Sequence, residues 1–105
     1  MTMKTSPFDA ADYLDTAEAR AEYMTAALET GDTEFIRDAV GVVARARGMA
    51  GIAKQTGLSR ESLYKALGPA GNPEFSTVMR VLHALGLTLS ARPATPRTPR
   101  KRRAA

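Results

Sequence analysis

The chain has 105 residues, a formal net charge of +4, few aromatic residues, no tryptophan and no cysteine. That length admits one modest core with a tail, and the core must be built mostly from Ala, Leu, Val, Ile and Met, a mix that suits packed helices. The missing cysteine excludes disulfides and thiolate chemistry, and no apolar run nears the roughly 20 residues of a membrane span.

The opening stretch MTMKTSPFDAADYL has no apolar segment of the kind a secretory signal needs, so a cytoplasmic chain is expected. Charge is ordered along the sequence. Residues 1–44 carry three basic side chains (Lys4, Arg20, Arg37) against nine acidic ones; residues 45–91 carry six basic ones against Glu61 and Glu74; residues 92–105 carry six and no acid. An ordered gradient points to two partners of opposite charge, while solvated helix faces that happen to segregate are the plainer reading.

A short turn of helix is expected at residues 9–14, after Pro7. A firmer helix is predicted for 16–30. There Asp15 and Glu18 have capping-box spacing, and Ala17, Ala21, Met24 and Leu28 recur at helical intervals, with Tyr23 and Ala27 widening the stripe. Gly31 ends this helix and Asp32 caps the next, where Phe35, Ile36, Ala39, Val40, Val43 and Ala46 trace an apolar face up to Gly48. Gly41 weakens that helix by about 1 kcal/mol relative to Ala and allows close packing with a neighbour.

Two shorter helices follow, at 49–56 and 60–67, and then a loop, GPAGNP, at 68–73. The last helix, 75–85, puts Phe75, Val78, Leu82 and Leu85 on one side with Val81 beside them, and Gly86 closes it. Residues 87–90, LTLS, alternate apolar and polar, which allows a short C-terminal strand with no partner strand in this chain. Such a strand can pair with its copy in a dimer or with another protein's sheet edge. The tail ARPATPRTPRKRRAA has three prolines, no large apolar residue and charge of one sign, so disorder is expected there. The fold class is therefore all-α, with five to six helices and a disordered basic tail. Three regions divide it: acidic N-terminal helices (1–47), a helix-turn-helix region (48–90) and the tail (91–105).

The helix-turn-helix reading rests on AGIAKQTGLSRESLYKAL, residues 50–67. Such a unit needs a small residue where the second helix crosses the first, a turn residue tolerant of positive φ, and an aliphatic residue facing inward from the second helix. Ala53, Gly57 and Leu63 stand in those places, supported by Ile52, Leu58, Ala66 and Leu67, with Ser59 as the N-cap. The outward face then holds Arg60, Glu61, Ser62, Tyr64 and Lys65, chemistry that suits a major groove: Arg or Lys to guanine, Glu to cytosine, Ser or Tyr to phosphate. Lys54 and Gln55 are further candidates. The amide end of the first helix, at Gly48 and Met49, can meet a phosphate, helped by Arg45 and Arg47. The plainer reading is a helical hairpin whose Arg60 and Lys65 are ordinary solvated charges.

The run GLSRESLYKAL followed by GNPEFSTVMRVLHALGL, together with the upstream FDAADYLDTAEARAEYMTAALETGDTEFIRDAVGVVARARGM, resembles the HigA-like addiction-module antidotes, type II antitoxins with a lambda-repressor-like (XRE) helix-turn-helix. The resemblance covers residues 7–89. It implies a homodimeric DNA-binding protein without enzymatic activity or cofactor, which neutralises a RelE/ParE-superfamily toxin by direct binding and represses its own operon at operator DNA. Carried over, the groove-reading positions fall on Ser59, Arg60, Glu61, Ser62, Tyr64 and Lys65. The tail is longer and more basic than the resemblance accounts for. Toxins that act on RNA are usually basic, so the acidic half fits one electrostatically. On that reading Asp9, Asp12, Asp15, Glu18 and Glu22 supply the field, and Phe8, Tyr13 and Leu14 the anchors. Residues 87–90 with the tail are the alternative toxin site. Residues 87–90 and the last helix are the first places to look for a dimer contact.

Other chemistry finds little support. His83 is the lone histidine, there is no second His or any Cys to complete a metal site, and Ser59 and Ser62 lack a base nearby in sequence. The alternative to an antitoxin is a stand-alone XRE-type transcription regulator whose N-terminal helices only make a dimer.

Overall fold

A computed structural model describes residues 13–94. Among them are five helices and no strand: α1 (Ala17–Thr30), α2 (Thr33–Arg47), α3 (Met49–Thr56), α4 (Arg60–Ala66) and α5 (Phe75–Ala84). Most of the turn expected at 9–14, and the tail beyond Ala94, lie outside the described residues. No helix among those described is long and apolar enough to cross a membrane.

Small polar residues and glycines set the helix ends. α1 is capped by Thr16, one residue later than the capping box predicts: its Oγ1 accepts from the Ala19 amide at 3.0 Å. Glu18 is then the second residue of the helix, too early to reach back over the cap, and serves the N-terminal dipole instead. At the other end Gly31 takes a left-handed φ of 69°, and Asp32 caps α2 by accepting from the Glu34 and Phe35 amides, each at 3.1 Å.

α2 forms the spine. Its face of Ala39, Val40, Val43 and Ala44 is buried, and the helix packs on α1, α3 and α5. Ile52 of α3, Leu63 of α4 and Val81 of α5 complete the centre; each such side chain contributes about 1.5–3 kcal/mol of burial. Gly41 lets α2 approach the chain just after α4: a Cβ there would stand 3.3 Å from the Leu67 carbonyl oxygen.

Two apolar expectations fail at helix ends. Phe35 and Phe75, read as core-facing, are 47% and 71% exposed, because each lies in the first turn of its helix, where the apolar stripe overhangs the core. The strand allowed at residues 87–90 is also absent. The Gly86 amide bonds the His83 carbonyl at 2.9 Å and the Leu87 amide bonds the Leu82 carbonyl at 2.9 Å, with Gly86 at φ 78°. That is a Schellman ending, which turns the chain back across α5 and brings Leu87 to Leu82. Residues 87–94 then run alongside α1, and Arg92 pairs with Glu29 at 2.9 Å.

Candidate nucleic-acid interface

α3 and α4 are joined by three residues, 57–59. Gly57 has φ 79° and its amide bonds the Ala53 carbonyl at 2.9 Å, ending α3. Buried Thr56 strengthens this corner: its hydroxyl donates to the Ile52 carbonyl at 2.8 Å and accepts from the Leu58 amide at 3.3 Å. Ser59 then starts α4 in extended geometry, its Oγ accepting from the Ser62 amide at 2.9 Å. Ala53 is buried and Leu63 is completely so, and α3 and α4 pack together.

With Leu63 turned inward, Arg60, Glu61, Ser62, Tyr64 and Lys65 are all exposed, and Tyr64, at 49%, lies on the surface rather than in the core. Lys54 and Gln55 are exposed on α3. The hydroxyls of Ser59 and Ser62 bond each other at 2.9 Å, so both are engaged at the cap. Arg45 and Arg47 are exposed in the last turn of α2, where cations suit the helix dipole. Gly48 heads α3 without any side-chain cap, and the Met49 side chain is buried, so Met49 can offer a ligand only its main chain.

Two arginines that sequence reading missed fix this unit from behind. Arg80 of α5 donates Nη1 to the Thr56 carbonyl at 3.3 Å, holding the end of α3. Arg37 of α2 donates Nη1 to the Gly71 carbonyl at 3.2 Å, holding the loop that leaves α4. Neither pairing has a local signal, since the partners lie 24 and 34 residues apart. His83 is exposed beside Arg80 in a shallow depression that also includes Gln55.

The N-terminal candidates separate. Phe8, Asp9 and Asp12 lie outside the described residues. Tyr13, Asp15, Glu18 and Glu22 are exposed. Leu14 is 5% exposed and belongs to the core, with its carbonyl accepting from Arg20 Nη1 at 3.1 Å. It is therefore not a surface anchor.

The described residues thus form a small helical unit with an exposed polar helix, α4, set on a three-residue turn, and an acidic first helix. Residues 4–93 match the family model described as probable addiction module antidote protein, and the chain belongs to that family. An uncharacterized protein of Haemophilus influenzae (strain ATCC 51907 / DSM 11121 / KW20 / Rd) is 46% identical over 87 residues, covering 83% of this chain and 90% of the relative. No solved structure matches.

Proposed function

We propose that this chain is a non-enzymatic antitoxin of a type II toxin–antitoxin module. It neutralises a small RelE/ParE-superfamily toxin by binding it directly, and it represses its own operon as a homodimer. An antidote implies a toxin, and membership of the antidote family supports that half of the reading. The observation that carries the DNA half is the face of α4. Arg60, Glu61, Ser62, Tyr64 and Lys65 are exposed together on a helix whose opposite side is anchored by Leu63. In this reading α3 and α4 are a lambda-repressor-like helix-turn-helix, with Lys54, Gln55 and the α4 residues toward the bases and Arg45, Arg47 and the head of α3 toward phosphates. Reading two half-sites calls for a dimer, and the exposed Phe75 on α5 supports a contact through the last helix.

A gel-shift on the DNA upstream of the gene tests the DNA half. Arg60→Ala and Lys65→Ala should each weaken binding by about 1–3 kcal/mol and relax base preference. Unchanged binding by both variants would refute the assignment of α4. Co-expression with the product of an adjacent reading frame tests the antitoxin half. A chain that binds its upstream DNA but no neighbouring product would be a stand-alone regulator.

A further inference from the structure

The two regions that compete in sequence as the toxin site, the first helix and residues 87–90, are the two walls of one groove. On α1, Ala17, Ala21, Met24 and Leu28 are spaced at i, i+4, i+7 and i+11 and form one apolar stripe. The fold covers this stripe in part: Met24 is buried, whereas Ala17 and Leu28 are exposed. The facing wall comes from Leu82 of α5 and from Leu87 and Leu89, which the Schellman ending of α5 brings there. Between the walls is an open cavity of about 300 Å³, room for a few aliphatic side chains.

One residue further round α1, the same spacing repeats as Glu18, Glu22, Thr25 and Glu29, all exposed; Glu18 and Thr25 line the groove and Glu29 the depression that continues it beside Arg92. The cation that answers this acidic stripe is Arg92, through an ion pair with Glu29 in which both side chains stay more than half exposed. Such a pair is weak and exchangeable. A second copy of this chain would bring the acidic stripe near its own image, which like-charge repulsion opposes.

We infer that this groove is the docking site for a basic protein partner that lays a short aliphatic segment between α1 and residues 87–89, its cations meeting Glu18, Glu22 and Glu29. The inference rests on the antitoxin reading and specifies where the toxin is held: small residues at Ala17 and Ala21 admit the partner's backbone closely, Leu28 and Leu89 supply apolar contact, and the acids orient it.

The test uses the full chain and, as probe, the product of the reading frame adjacent to its gene, with affinity measured by titration calorimetry and rates by surface immobilisation. Ala21→Arg should weaken the complex on the order of a hundredfold, as disrupting the centre of an interface does. The double variant Glu18→Lys, Glu22→Lys changes only exposed side chains; it gives up the contact of Glu18 with the helix dipole, and thermal unfolding checks that the fold is kept. It should slow association about tenfold and reduce its salt dependence. Both variants should retain upstream-DNA binding, while Lys65→Ala weakens DNA binding about 5- to 150-fold and keeps the partner. Wild-type chain that fails to bind the probe sinks the antitoxin reading and the groove with it. Wild-type chain that binds, with both groove variants binding equally well, overturns the groove and leaves the antitoxin reading standing. Ala21→Arg that turns a dimer into a monomer in sedimentation assigns the groove to a second copy and also overturns the inference.

Discussion

Arg37 reaches from α2 to the main chain of Gly71, its Nη1 donating to the Gly71 carbonyl at 3.2 Å, while Asp38 holds the same guanidinium through Nη2 at 2.9 Å. The Arg37 side chain is 12% exposed. Gly71 is pressed onto the end of α4 so closely that a Cβ would collide with the Ala66 carbonyl, and at Gly68 one would stand 2.8 Å from the Tyr64 carbonyl oxygen. The loop therefore fixes one end of α4, as the Thr56 corner and the Ser59 cap fix the other. Arg37→Met leaves the Gly71 carbonyl without its side-chain donor and should cost about 1–3 kcal/mol in denaturant unfolding. Gly71→Ala forces the loop away and should cost a similar amount. In the proposed reading both variants bind upstream DNA more weakly at an unchanged salt slope, because the cations that meet phosphates are all still present.

Ser59 separates helix capping from DNA contact. Its hydroxyl holds the Ser62 amide, so Ser59→Ala should lower stability by about 1 kcal/mol. Ser59→Asp retains a capping acceptor and should keep stability near wild type by thermal unfolding. The added carboxylate faces phosphates if α4 enters the groove, so Ser59→Asp should lose DNA binding despite its stability. Wild-type affinity in that variant would move α4 away from DNA.

Much of this architecture is legible in the sequence because its punctuation is local. Gly31, Asp32, Gly48, Gly57, Ser59 and Gly86 mark helix ends by backbone freedom or a short acceptor side chain, and each does so here. The exposed face of α4 is legible for the same reason: once Leu63 is inward, helical period places the rest. The features that sequence does not reveal depend on contacts between distant segments. Arg37 and Arg80 look like solvated charges until the fold brings Gly71 and Thr56 to them. Leu14 looks like a free anchor until Arg20 takes its carbonyl and the core receives its side chain. Alternation at residues 87–90 is a fair strand signal, but a Schellman turn and the side of α1 decide their course instead.

α1 has both a structural face and a free one, and two leucine-sized residues distinguish them. Met24 is 3% exposed within the core, so Met24→Ala should cost about 2–5 kcal/mol. Leu28 is 37% exposed along the groove, and Leu28→Ala should cost less than about 1 kcal/mol. Removing everything before Gly31, a natural first test of toxin binding, would also remove Leu14, Met24 and Ala27 from the core. That truncated chain should show a lost or broadened unfolding transition, which makes point changes on α1 the sound way to probe a partner.

The family match ends at residue 93, and beyond it the chain adds Arg97, Arg100, Lys101, Arg102 and Arg103 without one acid. Each of these side chains can neutralise a phosphate and release a counterion, whatever the base sequence. A chain ending at Ala94 should therefore bind specific and unrelated duplexes more weakly by the same factor. Its log–log salt slope should be shallower by about 0.9 for every phosphate that the tail no longer neutralises. Partner binding at α1 should be unaffected, since Arg92, the cation paired with Glu29, is retained. A truncated chain that loses specific binding alone would make the tail a reader of sequence, and an unchanged slope would remove it from the DNA altogether.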